Sequence, residues 1–196
     1  MEKERYLSKL ASYQKLSIGL KAYLNYTVYQ TSFHKMEKIP LNSTELGSFC
    51  YLAKGSGRLF VYDAETEQET TILFFQPKDI LPELKSISKY VKRQLFMQFP
   101  EDTELLSIPN IHTRNIHKLF SESTDLIVEI NAEMHAKIIT VLTGLKISSA
   151  DQRLDKLLES FPAVFSQTAV KDVASYLGIH SSTLSAMRNQ NKKRTR

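Results

Sequence analysis

Apolar side chains recur every three to four positions at the start of the chain, which is the spacing of an amphipathic helix. No proline interrupts the stretch from Glu2 to Tyr29. Gly19 breaks the pattern, so one helix or two short helices both fit it. The apolar positions are Tyr6, Leu10, Tyr13, Leu16, Leu20 and Leu24.

From Lys38 to Ile108 the pattern changes to short runs of aromatic and branched residues, separated by glycine, proline and aspartate. Such runs predict β-strands. The predicted strands are Ser48–Leu52, Arg58–Tyr62, Thr70–Phe75 and Leu105–Ile108. The polar stretch from Asp63 to Glu69 predicts an exposed hairpin loop. Short strands with frequent turns favour an antiparallel barrel or sandwich over a doubly wound sheet.

A second helical pattern starts near Ser121 or Ser123, and either serine can cap the helix. About 25 residues at ~1.5 Å per residue give a helix roughly 37 Å long. This exceeds what a small domain needs for its own core, so we expect part of the apolar stripe to pack against a second copy of the chain. The alternative is a helix buried wholly within one subunit. The predicted dimer residues are Ile127, Ile130, Met134, Ile138, Val141 and Leu145.

A capping box marks the next helix. Ser149 is followed three residues later by Gln152, and the helix should stop before Pro162. The break near Ile147 to Ser149 predicts a domain boundary. Together with the patterns above it divides the chain into helices and strands over residues 1–120, the long helix over 121–148, and a separate domain over 149–196.

The stretch from Val170 to Asn189 carries the most specific pattern in the chain. Thr168 can cap a helix that ends at Leu177, and Gly178 permits a left-handed turn. Ser181 or Ser182 can then cap a second helix. Two short helices joined by a glycine turn form a helix-turn-helix unit. Its predicted core is Val173, Ala174, Leu177, Ile179, Leu184 and Met187.

The second helix of such a unit presents its outward residues to the DNA major groove. Asparagine can bind adenine with two hydrogen bonds, and serine can bind bases or phosphates. Thr183 and Arg188 are placed for phosphates, as is the basic tail, whose alternative interpretation is a solvated end. The predicted DNA-binding residues are His180, Ser181, Ser182, Thr183, Ser185, Arg188, Asn189, Lys192, Lys193 and Arg194.

The distribution of charge supports a polyanionic partner. Residues 1–165 carry 20 basic and 20 acidic side chains, whereas residues 166–196 carry 6 basic and 1 acidic, so the net charge of +5 lies at the C-terminal end. The single cysteine excludes a disulfide framework and an iron–sulfur cluster. No apolar run approaches the ~18 residues of a membrane span, and the first residues are not signal-like, so we expect no membrane partner and a cytoplasmic protein.

This order of parts resembles the cyclic-AMP receptor and fumarate-nitrate regulator (Crp/Fnr) family. The run from Lys171 to Ile179, followed by Thr183-Leu184-Ser185, is close to the form seen in Bacteroidetes members. Tyr51–Gly55 and Arg58–Tyr62 look like the family's central strands. The resemblance implies an α+β protein with a cyclic-nucleotide-binding-like β-roll (jelly roll), flanking helices, a long dimerisation helix and a C-terminal winged-helix-like helix-turn-helix domain. It further implies a homodimeric transcription regulator of double-stranded DNA, with RNA polymerase and an unidentified small-molecule effector as further partners.

Two departures from the family limit this comparison. The base-reading Glu and Arg of the family correspond to Ser182 and Ala186. In the sensor, the cyclic-nucleotide pocket corresponds to Gln76–Leu84, which lacks glycine and contains two prolines. Glu83 and Arg93 are the residues that would take the ribose and phosphate roles of that pocket. We therefore do not expect a response to cyclic nucleotides.

No catalytic set of nucleophile, base and orienting residue is visible, and the five histidines lack metal-ligand spacing. We expect no enzyme activity, metal or cofactor. The alternative function is a β-roll module that binds an effector or a protein, in which the helix-turn-helix has lost specific DNA reading.

Overall fold

A computed structural model describes residues 2–81 and 90–194, with side chains described up to residue 190. The helices are α1 Glu2–Tyr13, α2 Ile18–Thr27, α3 Asn110–Leu119, α4 Ser123–Ile147, α5 Ala150–Ser160, α6 Val164–Gln167, α7 Val170–Leu177 and α8 Ser181–Arg194. The strands are β1 Tyr29–Phe33, β2 Glu37–Pro40, β3 Ser48–Lys54, β4 Gly57–Asp63, β5 Gln68–Phe75, β6 Ile80–Leu81, β7 Gln94–Phe99 and β8 Thr103–Ile108.

The N-terminal pattern folds as two helices, and the break between them precedes Gly19. Helix α2 begins after Ser17, whose side chain accepts a hydrogen bond from the Leu20 N–H. Gly19 therefore lies inside α2, where the aromatic ring of Phe120 approaches within 3.2 Å of an added Cβ. The glycine allows close packing of α2 against the chain after α3.

Two antiparallel four-stranded sheets form the β-roll, with strand orders β1-β8-β3-β6 and β2-β7-β4-β5. The four predicted strands are confirmed as β3, β4, β5 and β8, and the predicted hairpin loop joins β4 to β5. The pattern did not predict β1, β2, β6, β7 or helix α3. Polar residues alternate with few apolar ones in β1, and Pro40 ends β2, so neither strand has a strong local signal.

The long helix α4 has the predicted length and position. Neither serine caps it, because Glu122 is the N-cap and makes no side-chain capping bond. Leu126 and Ile130 join α1 and α2 in a core on the outer face of one sheet. One turn later, Met134 contributes to the core between the two sheets. The N-terminal half of α4 is thus an internal part of the roll.

The C-terminal helices α5 to α8 form a separate small core. The predicted capping box is present, because Ser149 and Gln152 exchange hydrogen bonds with each other's backbone N–H groups. Helix α5 ends before Pro162, as predicted. Within residues 149–194 the only regular secondary structure is helical. Among the described residues, no helix is both long and apolar enough to cross a membrane.

Candidate nucleic-acid interface

The turn between α7 and α8 has the geometry that the glycine predicts. Gly178 adopts the left-handed conformation, with φ 64° and ψ 38°. Its N–H donates to the Ser175 carbonyl at 3.1 Å, and the Ile179 N–H donates to the Ala174 carbonyl at 3.0 Å. These two bonds form a Schellman motif, which closes the C-terminus of α7 and turns the chain into α8.

The predicted core of the helix-turn-helix is confirmed. Five of its six side chains are buried, and Ile179 packs partly buried against them. Ala174 lies in this core, where a larger residue would separate the two helices. The buried members are Val173, Ala174, Leu177, Leu184 and Met187.

The outward face of α8 is open to solvent. Every residue on it that we predict to contact base edges is exposed. No acidic residue follows Asp172 in the sequence, so this face carries no negative side chain. The Ser185 hydroxyl donates to the Ser181 carbonyl at 2.8 Å, which leaves its oxygen free to accept a hydrogen bond. The exposed predicted residues are His180, Ser181, Ser182, Thr183, Ser185 and Asn189.

Two capping predictions for this unit are wrong by one residue. Ala169 is the N-cap of α7, and the buried Thr168 hydroxyl has no hydrogen bond among the described residues. Helix α8 already begins at Ser181, and the Leu184 N–H donates to the His180 carbonyl at 3.1 Å. His180 therefore occupies the cap position, and both Ser181 and Ser182 lie within the first turn of α8.

Arg188 is half-buried beside α6. Its guanidinium carbon lies 4.0 Å from the centre of the Phe165 ring, a cation–π arrangement that orients the side chain while leaving its donors available. Lys192, Lys193 and Arg194 continue α8 as backbone, and their side chains lie outside the described part of the chain. The tail predictions are therefore not tested.

Arg153 of α5 fixes this unit to the end of α4. Its Nε donates to the Leu177 carbonyl at 2.9 Å and its Nη1 donates to the Ser148 carbonyl at 2.6 Å. One side chain thus binds the last residue of α7 and the residue after α4. Leu145 also contacts this point, because its Cδ2 atom lies 2.9 Å from where a Cβ on Gly178 would be.

Of the two predicted effector residues, only Arg93 lies in the described part of the chain. Glu83 lies outside the described residues. Arg93 is 66% exposed and forms a salt bridge with Asp63 at 3.2 Å across the ends of β4 and β7. It lines a surface cleft of about 430 Å³ together with Lys92 and Pro40.

The predicted dimer residues divide between two environments. Ile130 and Met134 are buried within the subunit, and Ile127 and Val141 are half-buried against its cores. Ile138 and Leu145 are exposed. Three further apolar residues in this part of α4 are also exposed: Ile139, Leu142 and Ile147.

The sequence pattern gave no indication of a polar contact between the roll and α7. Arg58 of β4 forms an ion pair with Asp172 of α7 at 2.6 Å, and the Thr71 N–H of β5 donates to the Ser175 hydroxyl at 2.9 Å. Arg58 lies between Gly57 and apolar residues in a predicted strand, so its only local signal is a charged residue in an otherwise apolar run.

No protein-family model matches the sequence, and no curated protein is significantly similar to it. Solved structures are similar. A protein assigned to the Crp/Fnr family of transcriptional regulators from Eubacterium rectale aligns with a TM-score of 0.73 and 15% identity, covering 95% of this chain and 88% of its own. FixK2 from Bradyrhizobium japonicum aligns with a TM-score of 0.68 and 15% identity, covering 86% of each chain.

A cyclic nucleotide-binding domain containing protein from Listeria monocytogenes aligns with a TM-score of 0.63 and 16% identity, over 97% of this chain and 90% of its own. These alignments include both the roll and the C-terminal helices. This chain has the Crp/Fnr fold. The predicted fold class is therefore confirmed, and the likeness of fold extends over nearly the whole chain.

Proposed function

We propose that this protein is a DNA-binding transcription regulator of the Crp/Fnr type, located in the cytoplasm. The observation that carries the proposal is the outward face of α8, which is exposed to solvent and has no acidic side chain. The opposite face of α8 packs in the buried core of the helix-turn-helix. Asp172, the one acidic residue after Phe165, is buried and paired with Arg58, so the one acidic side chain of this end is neutralised by the roll.

The regulator acts as a homodimer through the C-terminal half of α4. Two copies would place two α8 helices on successive major grooves, and the operator would be near-palindromic with half-sites about one DNA turn apart. Each of the three predicted parts has its own function. Residues 1–120 form the sensor, residues 121–148 form the dimer helix, and residues 149–196 form the DNA-binding domain. The sensor does not respond to cyclic nucleotides, and any small-molecule effector or RNA polymerase contact is a further part of the proposal.

A gel-shift titration at two salt concentrations tests DNA binding. Affinity should fall by roughly 0.9 log units per log unit of salt for each phosphate that is neutralised. Replacing Arg188 with Gln should weaken binding to all sequences alike and lower the salt slope by about one. The exposed Lys21→Gln variant removes the same charge far from α8 and should bind as the wild type does. Absence of binding at low salt would refute the proposed function.

Ser182 and Ala186, in place of charged readers, favour a second candidate function. In it the roll binds an effector or a protein partner, and the C-terminal end binds DNA only as any basic segment does. Selection of binding sites from a random DNA pool distinguishes the two. A recovered palindrome that changes when Ser182 or Asn189 is replaced supports the regulator, whereas no enrichment supports the second candidate.

A further inference from the structure

One arginine in the roll has no access to solvent. Arg58 is 0% exposed, and burying a lone guanidinium would be strongly unfavourable. Its Nη1 donates to the Gln98 side chain at 2.8 Å and faces Asp172 at 2.6 Å, while its Nη2 faces Glu69 at 2.5 Å. Glu69 is shared with Lys38 at 2.5 Å. The four charges form a neutral cluster.

The cluster crosses from one domain to the other. Lys38, Arg58, Glu69 and Gln98 belong to the sheet β2-β7-β4-β5, whereas Asp172 belongs to the first turn of α7. Asp172 is 5% exposed, it is not part of the apolar C-terminal core, and the charged groups around it are mostly those of the roll. Its burial is produced by the sheet, so the ion pair exists only while α7 lies against the roll.

A second set of contacts covers the edge of the same sheet. Among the described strands β5 is an edge strand, whose outward N–H and C=O groups would otherwise be open. The Ser175 hydroxyl accepts from the Thr71 N–H at 2.9 Å and donates to the Glu69 carbonyl at 3.4 Å. Phe74 of β5 extends into the C-terminal core, with its ring centre 5.0 Å from that of Tyr176.

The ion pair between Arg58 and Asp172 can break without leaving a buried charge unpaired. If α7 moved away, Arg58 would keep Glu69 and Gln98, because both belong to the roll. Asp172 would become hydrated on the surface of α7. Neither charge would be left buried and unpaired, which is the condition that makes breaking a buried ion pair most costly.

We propose that Arg58 and Asp172 form a releasable interdomain latch, which holds the helix-turn-helix on the β-roll and fixes the orientation of α8. The reading face of α8 stays exposed in the latched state, so the latch sets where that face points and does not mask it. Its effect on DNA affinity rests on the proposed function, but the latch itself does not. It is therefore tested without DNA.

The Thr71 amide reports the latch directly. Its N–H bonds to Ser175 across the domain boundary, so hydrogen exchange at this amide requires α7 to leave the sheet edge. Asp172→Asn removes the charge that faces Arg58, and we expect Thr71 exchange to become faster by about tenfold or more. Lys171→Gln changes the neighbouring exposed charge on the same helix and should leave Thr71 exchange unchanged.

Amides in the central β4–β7 pair are the internal control. They should keep their protection in Asp172→Asn, which would show that α7 has undocked from an intact roll. The latch is refuted if Thr71 exchanges equally slowly in Asp172→Asn and wild type. It is also refuted if β4–β7 loses protection in parallel, since the cluster would then only stabilise the roll. An unprotected Thr71 amide in the wild type would show that the domains do not dock.

Discussion

The two halves of helix α4 carry the same apolar spacing but have different surroundings. In the first half, Leu126, Ile130 and Met134 are at most 5% exposed and pack within one subunit. In the second half, Ile139 and Leu142 are 61% and 55% exposed. The apolar period therefore predicted the helix over its full length, but it did not indicate which part the roll covers.

The difference assigns two tasks to one helix. Its first half is a structural element that closes the roll and is fastened to α1 by the ion pair between Lys9 and Glu133 at 3.2 Å. Just past the middle of the helix, Lys137 forms an ion pair with Asp79 of the β5–β6 turn at 2.7 Å. In the second half, Ile139 and Leu142 form an apolar surface that no other described residue of the subunit covers. Substitutions in the two halves should consequently have different effects, and these tests are given in order of expected size.

The largest effect is expected from Ile130→Glu. Ile130 is 2% exposed, so the substitution places a carboxylate in the core without a partner. We expect a loss of about 4 kcal/mol or more in the free energy of unfolding, enough to unfold much of the protein. Urea denaturation followed by circular dichroism measures it. A folded, stable monomer would instead show that Ile130 belongs to the dimer surface.

In the second half, Ile139→Glu combined with Leu142→Glu should leave the fold intact and weaken the dimer by about 100-fold. Both side chains are already exposed in the single subunit. Analytical ultracentrifugation measures the association, and circular dichroism checks the fold. Thr143→Glu, an exposed polar position on the same stretch, is the matched control. A wild-type protein that stays monomeric at micromolar concentration would contradict the dimer proposal.

The end of α4 meets the helix-turn-helix turn, and Gly178→Ala tests that contact. A left-handed residue with a Cβ costs about 1–2 kcal/mol, and the new methyl group would also meet Leu145. Leu145→Ala in the same chain should recover the part of the loss that is due to the collision. A double-mutant cycle in thermal unfolding separates the two terms. Additive losses would mean that Leu145 does not press on the turn in solution.

The smallest effect on stability is expected when the ion pair between α1 and α4 is removed at Glu133. Burial raises the pKa of Glu133, but hydrogen bonds from Tyr13 and Lys9 and the charges of Lys9 and Lys137 outweigh burial and hold the pKa below 4.5. A lowered pKa in the folded state stabilises the protein above pH 4.5, and this stability is lost as the pH falls through the lowered value.

Glu133→Gln should therefore reduce stability at pH 7 by about 0.5 kcal/mol and flatten its decline under acid. Urea unfolding at pH 7 and below pH 4 measures both. Glu129→Gln replaces an exposed carboxylate one turn earlier and should keep the wild-type pH profile. Equal profiles for the two variants would contradict the assigned role of Glu133.

The helix-turn-helix was the part most open to prediction. Gly178, Ala174 and the five apolar positions act over fewer than 20 residues, so local spacing specifies both helices and the turn. The caps were misplaced by one residue because Thr168 and Ser181 both have capping side chains, while the backbone places the cap at a neighbour. In the roll, β7 and β2 depend on each other's pairing, and their short runs give little local signal.

The sequence alone determined the elements whose signals are local: the long helix, the capping box at Ser149, the glycine turn and the basic C-terminal end. Tertiary structure decided which half of α4 is internal, and it brought Arg58 to Asp172 across 114 positions of chain. The physical reason is the distance along the chain over which each kind of interaction acts. Periodicity, capping and turn conformation depend on neighbours in the chain, whereas burial and ion pairing depend on surfaces that meet only after the sheets have formed.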